Sequence, residues 1–265
     1  MIKDITIGQY YKTESILHQL DARVKLFATM IFVISLFIER NVFNYVVAGT
    51  ALLCLILVSR VPIGYMLRGL KPIAVVLLFS IIINMLFTPG IPLITFLGIT
   101  ITIQGIKLAI YIGCRYVLLI LGSSLMTFTT TPNELTDGLE KAFAPLAKIK
   151  MPVHEVAMMM SITLRFIPIL TEELDKITKA QLARGADFEE GNLFHRMKGY
   201  VPILVPLFVA AIRRANDLAL AMESRCYQGG QSRTKMKPLQ YKKRDAIAYA
   251  IIFTYLGVMI VGAFL

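Results

Sequence analysis

The chain has 265 residues, of which 56% are hydrophobic, and a mean hydropathy of +0.67, more apolar surface than one water-soluble core of this size absorbs. Lysine and arginine number 28 against 17 acidic residues, a formal charge of +11. That surplus suits nucleic acid, anionic lipid or membrane topology, and the positions of the charges decide between them.

The first 25 residues carry Lys3, Asp4, Lys12, Glu14, Asp21, Arg23 and Lys25 without an apolar run. No cleavable signal peptide is expected, and the first hydrophobic helix is expected to act as its own uncleaved signal. A bilayer core of ~30 Å takes roughly 20 apolar helical residues, and unpaired backbone in lipid is costly, so uncharged apolar runs are read as spans. Five qualify: 26–38, 42–58, 72–88, 106–128 and 246–265. The first is short and is expected to borrow flanking residues. Residues 89–102, with Pro89, Gly90, Pro92, Gly98 and several threonines, read as an irregular or re-entrant apolar connection, with a sixth short span as the alternative.

Of the 28 basic residues, 25 fall before the first span, between the second and third, or within 129–244; Arg40 lies opposite, and Lys107 and Arg115 lie in the fourth span. The positive-inside rule then places the N-terminus in the cytoplasm and the C-terminus outside. The bias explains most of the surplus, and no nucleic-acid partner is expected.

Residues 129–244 are too charged to span and too periodic to be a disordered loop; three helices are expected there. The first starts at Thr131-Pro132-Asn133-Glu134, a capping-box pattern, and runs to about Lys148. The second runs from Val153 to about Arg184, kinked at Pro168. After a turn-rich stretch, 185–192, the third runs from about Leu193 to Tyr227, bent near Pro202 and Pro206 and ended by Gly229-Gly230. The layout is that of an all-α integral membrane protein: a four-span bundle at 1–128, cytoplasmic helices at 129–244, and a last span at 245–265.

Both long helices finish alike. Ala183-Arg184-Gly185 ends one and Ser224-Arg225-Cys226 the other, each an arginine between small residues. An arginine at a helix C-terminus sits beside the negative end of the dipole, and its planar fork grips carboxylates or carbonyls while small neighbours allow close approach. Helices lying back and forth across each other would carry the two tips tens of ångströms apart, suiting two similar partner subunits. The plain alternative makes each arginine a dipole partner and a positive-inside residue; two at matching helix ends weigh against it.

With these features the chain resembles the transmembrane T component of energy-coupling factor transporters over nearly its whole length. The resemblance rests on Gly8-Gln9-Tyr10-Tyr11, Leu20-Asp21-Ala22-Arg23-Val24-Lys25, Thr130-Thr131-Pro132, Leu164-Arg165-Phe166-Ile167-Pro168 and the two arginine triplets in order. It implies a prokaryotic cell-membrane complex with two ATP-binding-cassette ATPases and a membrane-embedded solute-binding S component, for vitamin or trace-metal uptake. Residues 183–185 and 224–226 would couple to the ATPases, and no chemistry would occur on this chain. Ser224 and Cys226 depart from the usual Ala-Arg-Gly but stay small.

The remaining residues add little chemistry. Met158, Met159 and Met160 form an adaptable apolar surface or ordinary core. Arg115 marks the outer interface of its helix, or an intramembrane task. His18, His154 and His195 stand singly, so no metal site is expected. Cys54, Cys114 and Cys226 have no paired spacing and are read as reduced. Glu172, Glu173 and Asp175 are expected to pair locally with Lys176 and Lys179, although an integral-membrane enzyme would draw on Glu172 or Asp175. A stand-alone permease would need more polar groups in the spans than Asn84, Arg115 and a few hydroxyls. No Gly-Lys-Ser/Thr phosphate loop occurs, so ATP is expected to act on partner subunits and no cofactor on this chain.

Overall fold

The computed structural model describes residues 10–38, 41–96, 99–186, 193–229 and 239–264. Gly8, Gln9, Arg40, Gly230 and most of the 185–192 turn lie outside them, as does the side chain of His195. The chain divides into two compact units, one made of 1–142 with 239–265 and one of 143–238.

The first unit holds α1 (Ala22–Ile38), α2 (Val42–Ser59), α3 (Ile63–Phe87), a hairpin of β1 (Pro92–Phe96) and β2 (Ile99–Thr102), α4 (Ile103–Thr129), α5 (Pro132–Phe143) and α8 (Lys243–Phe264). Its small core is built from Phe32 and Leu36 of α1, Ala48 and Leu52 of α2, Met66 of α3, Leu125 and Phe128 of α4 and Met259 of α8. Most of the apolar residues lie outside this core. Val75, Phe79 and Phe87 of α3 are largely exposed although their helix has a mean hydropathy of 2.3 over its spanning window. Lipid is the solvent that makes such a surface stable.

Among the described residues α2, α3, α4, α8 and α6 (Val153–Ala183) are long and apolar enough to cross a membrane. Two of these facts differ from the sequence reading. These helices include α6, whose first half carries no charge apart from Glu155 and Arg165, and not α1, a helix of 17 residues. The third span also begins earlier than Pro72: α3 starts at Ile63, directly after Pro62, and carries Pro72 inside it.

The described residues of 89–102 form a hairpin, with a shift in register between Pro92 and Ile94, rather than a helical span. Ile94 pairs with Ile101, Thr95 with Thr100 and Phe96 with Ile99 in an antiparallel ladder, so the backbone groups of an apolar connection satisfy one another. The alternating isoleucine and threonine suit a pleated surface. Thr102 then caps α4, its Oγ1 accepting from Gly105 N at 3.0 Å and donating to Thr88 O at 2.8 Å.

The Leu20-Asp21-Ala22-Arg23-Val24-Lys25 segment ties three parts of this unit together. Asp21 caps α1 by accepting from Arg23 N at 2.9 Å and pairs with the Arg23 guanidinium at 2.8 Å. The Asp21 amide donates to Asp245 Oδ1 at 3.0 Å, which anchors the start of α8. Buried Lys25 sends its Nζ to Thr129 O at 2.7 Å, the end of α4, and to His18 O at 3.2 Å. His18 Nε2 lies 3.0 Å from Tyr11 O and so carries the proton, leaving Nδ1 to accept from Ser15 Oγ at 2.7 Å. Burial, the largest influence on this imidazole, holds it below its ordinary pKa. Burial alone would raise the Asp21 carboxyl, but the hydrogen bonds and charge of Arg23 outweigh it and hold the group below the usual carboxylate value.

The capping box at α5 is present: Glu134 N donates to Thr131 Oγ1, and Thr131 N to Glu134 Oε2, each at 3.3 Å. The helix ends at Phe143 rather than near Lys148, because Pro145 follows and the chain continues as a 3-10 turn, Ala144–Ile149. The second unit consists of that turn, α6 and α7 (Leu193–Glu223). Pro168 lies within a continuous α6, and Pro202 and Pro206 within a continuous α7. Arg115, in the midst of α4, donates its Nε to the Tyr45 hydroxyl at 3.1 Å, tying α4 to α2.

Candidate functional site

The two arginine triplets occupy the same place in the same local structure. After α6 the Gly185 amide donates to Leu182 O and the Ala186 amide to Gln181 O, both at 3.0 Å, with Gly185 left-handed at φ +83°. After α7 the Cys226 amide donates to Glu223 O at 2.8 Å and the Tyr227 amide to Met222 O at 3.1 Å, with Cys226 left-handed at φ +56°. Each is a Schellman closure, which satisfies the last carbonyls and reverses the chain. Arg184 and Arg225 are the C-cap residues of the two closures, with Ala183 and Ser224 before them and Gly185 and Cys226 after. The sequence reading ran this helix to about Tyr227, with Gly229-Gly230 ending it; the closure at Cys226 ends it first, and α7 stops at Glu223.

All six residues are exposed, and among the described residues neither guanidinium makes an ion pair. A Cβ built on Gly185 meets nothing within 4 Å, so the space beside Arg184 is open. Among the described residues each arginine therefore stands unpaired on a capped helix end, where its N–H groups can donate to a carboxylate or carbonyl between small neighbours.

Three contacts fix how α6 and α7 lie together. The Tyr227 hydroxyl donates to Met158 Sδ at 3.1 Å, Arg214 pairs with Glu173 at 3.2 Å, and Gln181 Nε2 donates to Pro202 O at 3.3 Å. The pairing 158 with 227, 173 with 214 and 181 with 202 is antiparallel. The last contact has a specific cause: Pro206 has no N–H, so the carbonyl four residues before it loses its helical donor, and Gln181 supplies one. Arg184 thus lies three residues beyond the Gln181–Pro202 contact and Arg225 two before the Tyr227–Met158 contact. The 23 residues of α6 between those contacts rise roughly 35 Å, which is the separation of the two tips along the pair.

Gln181 and Arg214 are positioning residues that the sequence reading did not single out, and Pro206 and Glu173 are ones it read only as a bend and as a local ion-pair partner. The glutamine lies directly before the first triplet, but its partner is 21 residues away. Glu173 takes an interhelical partner instead of Lys176 or Lys179.

One face of α7 has no partner among the described residues. Val201, Leu204, Val205, Phe208 and Ile212 are exposed at helical spacing, beside a cavity of about 470 Å³ shared with Leu170 of α6. On α6, Met159 and Met160 are exposed, while Met158 is engaged by Tyr227. Contiguous exposed apolar surface of this kind marks a protein or membrane contact. Cys54, Cys114 and Cys226 are free and exposed, and no three His, Cys, Asp or Glu side chains gather into a metal-holding group among the described residues.

Comparison with known proteins adds a lineage to this geometry. The cobalt transport protein family CbiQ matches residues 13–236. The energy-coupling factor transporter transmembrane protein EcfT of Clostridium kluyveri is 50% identical over 250 residues, covering 94% of this chain and 93% of its own. The protein of the same name from Ruminiclostridium cellulolyticum is 45% identical over 97% of this chain and 96% of its own, and that from Bacillus subtilis 46% over 92% and 93%.

Proposed function

The chain belongs to the EcfT family of energy-coupling factor transporter transmembrane proteins, and on that premise we propose that Arg184 and Arg225 each dock one of two ATP-binding-cassette ATPases. As the T component, a multi-pass membrane protein, it is the scaffold of a multi-subunit transporter. Closure of the ATPases on ATP draws the two tips together or apart, and α6 and α7 carry that stroke to a membrane-embedded S component that binds a vitamin or trace metal and reorients. The observation that carries this reading is the equivalence of the two tips: closures with the same hydrogen-bond pattern, an arginine at the same position in each, and roughly 35 Å between them.

Each part of the pair suits the task. Schellman closures leave few orphan carbonyls, so the arginine backbone is fixed and a push on its side chain reaches the helix axis. The Gln181–Pro202 and Glu173–Arg214 contacts couple the two rods, so that a displacement of one is felt by the other. The unpartnered apolar face of α7 and the exposed methionines of α6 offer adaptable surface to an apolar partner. The basic bias places these helices and the N-terminus on the cytoplasmic side, with the C-terminus outside. In this reading the chain itself does no chemistry, and ATP is bound and hydrolysed by the ATPases.

Co-expression of the Arg184→Ala/Arg225→Ala chain with its ATPases tests the reading. The expected result is loss of ATPase co-purification and solute uptake with membrane insertion intact, each single variant being intermediate. Unchanged co-purification would refute it, and turnover of a substrate by the purified chain alone would favour an enzyme.

A further inference from the structure

Helices α2 and α8 are joined at one end and apart at the other. Asn41 Nδ2 donates to Gly262 O at 3.0 Å and Asn44 Nδ2 to Met259 O at 3.3 Å, and nearby the Tyr255 hydroxyl meets Ser35 Oγ of α1 at 2.9 Å. Between 51–58 of α2 and 247–252 of α8 no hydrogen bond joins the helices among the described residues, and a cleft of about 440 Å³ opens there. Phe32 of α1 and Leu125 of α4 form its floor; Leu55 and Val58 on one side and Ile247 and Ile251 on the other form its walls. The four wall residues are exposed, so the cleft opens sideways onto the surface that faces lipid.

Its lining is almost wholly apolar and offers no set of polar partners to hold water. An apolar cavity of roughly 150 Å³ is known to take a molecule the size of benzene, and this one is about three times larger. A long apolar chain fits that space and that sideways entrance.

The wide end is cationic. Arg244 lines it, and Lys242 and Lys243 precede Arg244 and are exposed, while Lys25, also in the lining, is buried with its Nζ committed to Thr129 O and His18 O. The carboxylate nearest in sequence, Asp245, is already engaged, accepting from the amides of Asp21 and Lys242. Arg244 donates through Nη1 to Gln19 and keeps its other N–H groups. An apolar slot ending in a patch of positive charge at a membrane boundary is complementary to an acyl chain ending in an anionic headgroup.

We infer that the α2–α8 cleft binds one acyl chain of an anionic phospholipid from the leaflet on the Arg244 side, with its phosphate held by Arg244. The full chain, reconstituted in phosphatidylcholine vesicles, is irradiated with a minor fraction of phosphatidylglycerol carrying a diazirine on its acyl chain, or with the matching phosphatidylcholine probe. Peptides covering 51–58 and 247–252 are expected to be labelled about fivefold more by the phosphatidylglycerol probe, the ratio for one well-placed basic residue at an anionic headgroup. Arg244→Gln brings that label down to the phosphatidylcholine level. Ala248→Trp, which fills the cleft, removes label from both probes, while labelling of the outer face of α3 around Val75 and Phe79 is unchanged in either variant and reports correct insertion. Cleft labelling no stronger than that α3 face, or equal labelling by the two probes, overturns the inference. So does cleft labelling that disappears in the assembled transporter, since a partner helix would then be the occupant.

Discussion

Cys226 sits at φ +56°, where a residue with a Cβ pays about 1–2 kcal/mol relative to ordinary helical backbone. Glycine removes that cost but loses more freedom on ordering, about 0.5–1 kcal/mol, so Cys226→Gly should tighten the α7 closure by about 1 kcal/mol net. The reciprocal change, Gly185→Cys, places a Cβ at φ +83° and should loosen the α6 closure by a similar amount. No clash contributes there, because nothing lies within 4 Å of that Cβ. Helix ends open locally, so the assay is amide hydrogen exchange in the folded protein. The amides of Cys226 and Tyr227, which bond Glu223 O and Met222 O, should gain roughly fivefold protection in Cys226→Gly. Those of Gly185's replacement and Ala186 should lose about as much in Gly185→Cys. Unchanged protection at both ends would refute the view that backbone conformation sets the strength of the two closures.

Lys25→Met leaves the carbonyls of Thr129 and His18 without their donor and should destabilise the protein by about 2–4 kcal/mol in detergent melting; a loss below about 0.5 kcal/mol would contradict the tie between α1 and α4. A Cβ at Gly262 would fall on the Asn44 side chain, so Gly262→Ala should cost about 1–3 kcal/mol and separate α2 from α8, read as increased exchange of the α8 C-terminal amides. The Asp21 carboxyl is held low, so its ionised form adds stability above about pH 4 that is lost as the pH falls through its folded value. The stability gap between wild type and Asp21→Asn should therefore be constant from neutral pH down to about pH 4 and shrink below it. A gap that widens on acidification would show that the carboxyl is raised instead.

The spans were legible because lipid demands uncharged apolar length, a requirement visible in any window of sequence. Where charge and length disagreed, the reading slipped. Arg68 and Lys71 moved the expected start of the third span to Pro72, although the helix begins just after Pro62, where a proline is a natural entry. The first half of α6 also has the length and hydropathy of a span, with only Glu155 and Arg165 charged, so in this helix the charge of the second half is what the cytoplasmic reading rests on. At 89–102 the proline and glycine signals masked the alternation of Ile99, Thr100, Ile101 and Thr102, which carries the hairpin. The capping box at Thr131 and Glu134 was legible because both partners lie within one turn. The arginine triplets were legible as a repeated pattern, but not as matching closures, since cysteine gives no sign of left-handed backbone. Gln181 and Arg214 were out of reach for a different reason: their partners are 21 and 41 residues distant, and only the antiparallel packing of α6 on α7 brings them together.

Native Cys226, exposed and adjacent to Arg225, reports on the central claim. Maleimide labelling of Cys226 is compared in the isolated chain and in the assembled transporter, with a Cys226→Ser chain giving the background from Cys54 and Cys114, which lie in spans α2 and α4. Assembly with the ATPases should shield Cys226, and a short cross-linker from it should capture an ATPase subunit. Equal labelling of Cys226 before and after assembly, with no ATPase captured, would contradict that claim.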